Sequence, residues 1–198
     1  MPLRLLALVL SLLATGASAA ERPSRADLQK ALALYERSVV EVRGPRAAGP
    51  GVIVGGEGQV LTSVRHVSLE AAEVEYDGQK LPAKVVLANA YLQVAIVAAP
   101  SGTYPAVPVR VAGDRPVGQW LIGIVRGRGK RKARPMTAQA RKAPEPFIDV
   151  ALPLPPGSPL FDTRGRLVAV SVKRRGRGCR ALPMEAVKRQ LAARAETP

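Results

Sequence analysis

The chain has 198 residues, a formal net charge of +15, 47% hydrophobic residues and 4% aromatics. That is one domain's worth of chain, with a core to be filled by Val, Leu, Ala and Ile. One histidine and one cysteine exclude an internal disulfide and leave no zinc-ligand spacing, so no metal or other cofactor is expected, and the shortage of stacking side chains argues against a nucleic-acid partner.

In chain order, Arg4 is a short positive region, Leu5 to Leu13 an apolar run and Ala17-Ser18-Ala19 a small-residue cleavage site. Residues 1–19 are therefore predicted to be a secretory signal peptide, and the protein to be exported, periplasmic or secreted. No cysteine follows the cleavage site, so no lipid anchor is expected. Residues 20–37 form an N-terminal segment with a helix from Ser24 to Arg37. Ser24 and Asp27 are spaced as a cap, and Leu28, Leu32 and Tyr35 fall on one face.

The period then changes. Ser38 to Val42, Gly51 to Val54, Val60 to Thr62, Ala72 to Tyr76, Pro82 to Leu87 and Val94 to Ala98 are short apolar or alternating runs, several separated by turns such as GGEG and YDGQ. A second set comprises Val107 to Val111, Gln119 to Val125, Phe147 to Leu152 and Leu167 to Lys173. The Pro/Arg-rich stretch around Arg128 to Pro146 is read as dividing the strands into two groups. Met184 to Ala195 closes the chain as an amphipathic helix with Met184, Val187 and Leu191 on one face. Many short strands with tight turns suggest a β-sandwich or barrel.

The charge is concentrated in two glycine-interrupted runs, RGRGKRKAR (Arg126 to Arg134) and KRRGRGCR (Lys173 to Arg180). They read either as solvated loops or as a surface for a polyanion or an anionic membrane, with Arg126, Arg128, Lys130, Arg131, Lys132, Arg134, Lys173, Arg174, Arg175 and Arg177 as its residues. Cys179 is read as buried and inert.

Several phrases, in order, carry a resemblance. GPGVIVGGEGQVLTSVRHV, YDGQKLPAKVVLANAYLQVAIV, RPVGQWLIGIV, PGSPLFDTRGRLVAVSV and RALPMEAVKRQL resemble successive segments of the trypsin-like serine proteases in their HtrA (high-temperature-requirement) branch, from Val39 to Leu191. The resemblance implies an all-β fold of two packed six-stranded antiparallel β-barrels over residues 38–196, the first over 38–112 and the second over 113–196, with the two helices appended. It places the site in the cleft between the barrels. The chain ends soon after the last helix, so the PDZ domain usual in that branch is not expected.

Such a protease needs a serine nucleophile, a histidine base, an aspartate that orients the histidine, and backbone N–H groups for the oxyanion. Matched to the family, the acid position is Gln93, an amide with no charge to offer an imidazolium. The nucleophile position is Pro156 when Pro159-Leu160 is the anchor, or Ser158 when two glycines are deleted. In either register Pro156 removes one oxyanion donor, because proline has no N–H; such a loss typically costs about 2.7–4 kcal/mol of transition-state stabilisation. The histidine turn, VLTSVRHV, carries one residue more than the family pattern. Aligned from its left end it puts Arg65 in the base position, and from its right end His66. The resemblance thus implies a pseudoprotease with a binding or regulatory role and a protein or peptide ligand. The alternatives are an endopeptidase rebuilt on His66 and Ser158, and a polyanion-binding or anionic-membrane-binding module.

Overall fold

A computed structural model describes residues 21–68, 72–110, 115–126 and 132–195, without the side chains of 190–195. The predicted signal peptide and the predicted patch residues Arg128, Lys130 and Arg131 lie outside the described residues.

The first helix, α1 (Arg25–Ser38), begins on a capping box. Ser24 accepts from the Asp27 backbone N–H and Asp27 accepts from that of Ser24. The aspartate so engaged is held below the ordinary carboxylate pKa, chiefly by the bond from the Ser24 backbone. Its buried stripe is Ala31, Leu34, Tyr35 and Ser38, with the predicted Leu28 and Leu32 half-buried at its margin.

Six strands follow: β1 (Val39–Arg43), β2 (Ala48–Ile53), β3 (Gln59–Ser63), β4 (Ala72–Tyr76), β5 (Gln79–Asn89) and β6 (Val94–Ala98). They close in the order β1-β2-β3-β6-β5-β4. A second six, β7 (Trp120–Val125), β8 (Arg134–Lys142), β9 (Ile148–Val150), β10 (Pro159–Phe161), β11 (Leu167–Arg175) and β12 (Gly178–Pro183), close as β10-β11-β12-β9-β8-β7, and α2 (Met184–Ala195) ends the described chain. All paired strands of both barrels are antiparallel. Two closed six-stranded barrels are the architecture expected from the resemblance, and closure gives every strand a partner on both sides over at least part of its length.

Each barrel has its own apolar filling. Val40, Val42, Ile53, Val60, Val74 and Val97 fill the first. Leu121, Ile148, Leu152, Leu160, Val168 and Ala181 fill the second. A third cluster joins them: Val52, Leu61 and Ile96 meet Ile122, Phe161 and Val170, with Leu34 of α1 and Met184 of α2 completing it. Strands buried on both faces explain why β6 (VAIVA) and the first six residues of β11 (LVAVSV) read as continuous apolar runs.

The structure departs from two expectations. The segment Arg134–Lys142 is strand β8, inside the second barrel rather than between two groups. Its Pro135 is tolerated because β9 pairs only with Ala140 to Lys142, so the edge beside Pro135 needs no N–H. The predicted strand at Val107 to Val111 is instead connector: Val109 makes an isolated bridge to Leu167, and Arg110 N–H and Pro108 O bond to the same residue, over the part that is described.

The charge is segregated by barrel. Residues 38–112 hold six Lys and Arg against six Asp and Glu, whereas residues 113–196 hold nineteen against six.

Candidate functional site

His66 ends a short 3-10 turn, Val64–His66, that follows β3 directly. Ser63 starts the turn by accepting from Arg65 N–H, and Val64 N–H is tied at 3.3 Å to Gln93 O just before β6. The turn thus swings the imidazole inward against β2. His66 is 5% exposed. Its ring fills the space a side chain on Gly49 would take: a Cβ there would fall 2.3 Å from both Cε1 and Nε2. The glycine is what admits the ring.

The ring's partner is Thr62. Thr62 Oγ1 donates to Pro50 O at 2.9 Å and lies 3.0 Å from His66 Nδ1. The hydroxyl has a single proton, and with that proton on Pro50 O, Nδ1 is the donor to Oγ1. Nδ1–H is therefore the tautomer, and Nε2 keeps its lone pair. Burial, with the Arg65 cation next, lowers the His66 pKa below its ordinary value, while Glu41 and the Pro50 carbonyl act in the opposite sense. Burial thus favours the neutral ring over the imidazolium.

Gln93 takes no part in this. Its backbone is left-handed (φ 61°), and its amide donates to Ala90 O within its own turn. Where a triad would set a carboxylate against Nδ1, this site sets a neutral hydroxyl.

The loop before β10 meets the same place from the second barrel. A Cβ on Gly157 would lie 2.0 Å from Pro50 O and 3.2 Å from Thr62 Oγ1. The residues that orient His66 therefore also carry Gly157. Ser158 is buried, 3% exposed, and makes no hydrogen bond to His66. The N–H groups of the loop are all accounted for. Pro155 and Pro156 have none. Leu154 N–H goes to Leu152 O at 2.8 Å, Gly157 N–H to Ser171 O at 2.7 Å and Ser158 N–H to Pro155 O at 3.3 Å. An oxyanion formed beside this loop finds no free backbone donor from Leu154 to Ser158.

The predicted basic residues divide. Arg126 donates through Nε to the Tyr35 hydroxyl at 2.8 Å and lies over that ring, so it is engaged with α1. Lys132, Arg134, Lys173, Arg174, Arg175 and Arg177 are exposed. Strands β7 and β11 both run antiparallel to β10, so they end at the same end of the barrel. The Pro155–Ser158 loop enters β10 between them. Cys179 is 1% exposed, and burial pushes its thiol pKa up to about 11, as expected of an inert cysteine.

Thr62, Pro50, Gly49 and Gly157 were not assigned roles from the sequence. A hydroxyl four residues before the lone histidine was the available signal for Thr62. The glycines signal only that some close approach occurs, not to what.

Residues 49–170 match the family described as trypsin-like peptidase domain. Two curated relatives are similar, both described as probable periplasmic serine endoprotease DegP-like. That of Ectopseudomonas mendocina is 28% identical over 69% of this chain, and that of Pseudomonas fluorescens 27% identical over 69%. The chain spans about a third of their length, 33% in each case. Among solved structures, the serine endoprotease from Yersinia pestis superposes with a TM-score of 0.72 at 17% identity, covering 87% of this chain and 67% of that one. The Rv3671c protease of M. tuberculosis, in an inactive form, superposes at 0.68 and 19% identity, covering 88% and 98%.

Proposed function

The chain belongs to the trypsin-like peptidase domain family, in its HtrA-like branch, and on that premise we propose that it is an exported pseudoprotease that binds protein or peptide without cleaving it. The loop from Leu154 to Ser158 carries the reading: it has two prolines, and its three N–H groups are bonded to carbonyls of the protein itself. Removing a single oxyanion donor typically slows turnover by about 10²–10³-fold, and here every donor of the loop is absent or engaged. The neutral Thr62 on Nδ1 acts in the same direction, because it offers no charge to an imidazolium. Export is supported by the signal-like residues 1–19 and by the periplasmic description of the relatives.

A fluorophosphonate probe tests the reading. The expected result is no labelling above that of Ser158→Ala. Labelling of Ser158 that disappears in His66→Ala would overturn it in favour of a rebuilt endopeptidase.

The charge segregation favours a second reading, in which the same protein binds a polyanion or an anionic membrane through Lys173, Arg174, Arg175 and their neighbours. It predicts heparin elution that shifts to lower salt when these three residues are changed to Ser; unchanged elution counts against it.

A further inference from the structure

A pocket of about 330 Å³ opens in the second barrel where β8, β9 and the β11–β12 hairpin meet. Arg141 of β8, Arg175 at the end of β11 and Arg177 in the hairpin all line it. None of the three makes an ion pair among the described residues. The acid in the lining, Asp149, is already engaged. In register it faces Arg141 on one side and Arg180 on the other. Arg180 takes both carboxylate oxygens, at 3.0 and 3.2 Å. Arg141 is left facing a carboxylate whose two oxygens are already bonded to Arg180.

The floor is formed where β9 and β12 come close. A Cβ on Gly178 would lie 2.6 Å from Val150 O, so the glycine lets the hairpin come down onto β9, and the three arginines line one concavity. Three unpaired cations around a concave site, on the barrel that carries the charge excess, call for an anion. Planar guanidinium groups match carboxylate geometry through paired N–H donors.

The shape favours one side chain over a polymer. The volume is at the small end of ligand pockets. The chain that lines it at Val150 and Ala151 continues within four residues to the Pro155 loop between the barrels. Beyond Ser171, β11 pairs with β12 but no longer with β10, leaving a strand edge on which an extended peptide can lie. We propose that the Arg141–Arg175–Arg177 pocket receives the carboxylate side chain of a glutamate or aspartate from a peptide bound at the junction of the barrels. The inference rests on the proposed peptide-binding role and adds its ligand chemistry.

The test is fluorescence anisotropy of the purified protein with two labelled alanine-rich hexapeptides that differ only by Glu or Gln at one central position, in 150 mM salt. The Glu peptide is expected to bind at least about tenfold more tightly than its Gln twin. Arg141→Ala/Arg177→Ala is expected to bring the two affinities together, and Arg46→Ala, in the first barrel, to leave their ratio unchanged. The charge-reversed Arg141→Glu/Arg177→Glu protein should prefer a Lys peptide, which shows that it remains folded. Equal affinities for Glu and Gln in the wild type, or a ratio unmoved by the double change, would overturn the pocket. So would heparin competing equally well against both variants while no Glu preference is seen, which assigns the charge to polyanion binding. Mass spectrometry of the recovered peptide separates the two proposals: cleavage overturns the inactive reading, and the Glu/Gln ratio still reports on the pocket.

Discussion

Gly157 of the second barrel lies against the Pro50 carbonyl of the first with no room for a side chain, since a Cβ would stand 2.0 Å from that oxygen. Its φ of 86° is in addition a conformation L residues rarely adopt. Gly157→Ala should therefore push the loop off Pro50 and Thr62 and destabilise the protein by more than about 3 kcal/mol. Urea unfolding checks this; a loss under 1 kcal/mol would mean that the contact does not hold the barrels in register.

Thr62 joins the two sides of that contact. Thr62→Val keeps the shape but leaves the buried Pro50 carbonyl without its donor and the His66 Nδ1–H without its acceptor. A cost of about 1–3 kcal/mol is expected. Long-range proton–nitrogen correlation spectra should show a single Nδ1–H tautomer in the wild type and a mixture in the variant.

Acid should loosen the fold through His66. Its folded pKa lies below the unfolded value, so the unfolded chain binds the proton more readily. The contribution is fully present above the unfolded pKa of about 6.5 and is lost as pH falls through the folded pKa, with a slope of up to about 1.4 kcal/mol per pH unit. Tm measured from pH 7.5 down to 5 should fall less steeply in His66→Gln than in the wild type. Identical slopes would refute the assignment.

Cys179, with its thiol raised to about 11 and 1% exposed, should resist alkylation at pH 8 in the native protein and react completely in denaturant. Rapid native labelling would show that the β11–β12 region opens.

The architecture was legible wherever period and end signals coincided. Ser24 and Asp27 mark the start of α1, and the β4 and β6 runs read correctly to the residue because alternation or an unbroken apolar stretch is bounded by turns. Strand β8 was hidden because its sequence, RPMTAQARK, buries two residues and carries a proline and three cations. Strand β10 has three residues, too few for any period. At the site, the turn that presents His66 was readable as a motif. The direction of the Gln93 amide was not, because it depends on a left-handed backbone at a residue that carries no glycine signal. The pairing of Thr62 with Nδ1 depends on how the 3-10 turn directs the ring against Gly49, which is a tertiary outcome.

The segregation of charge between the barrels has a consequence before any contact forms. One half of the molecule is balanced and the other carries a net excess of thirteen positive charges, nineteen against six, so the protein is a permanent electrostatic dipole. In a field it turns second barrel first. An acidic partner is met in the docking orientation rather than at random, and the encounter rate, more than the lifetime of the complex, should fall as salt shortens the screening length below about 8 Å.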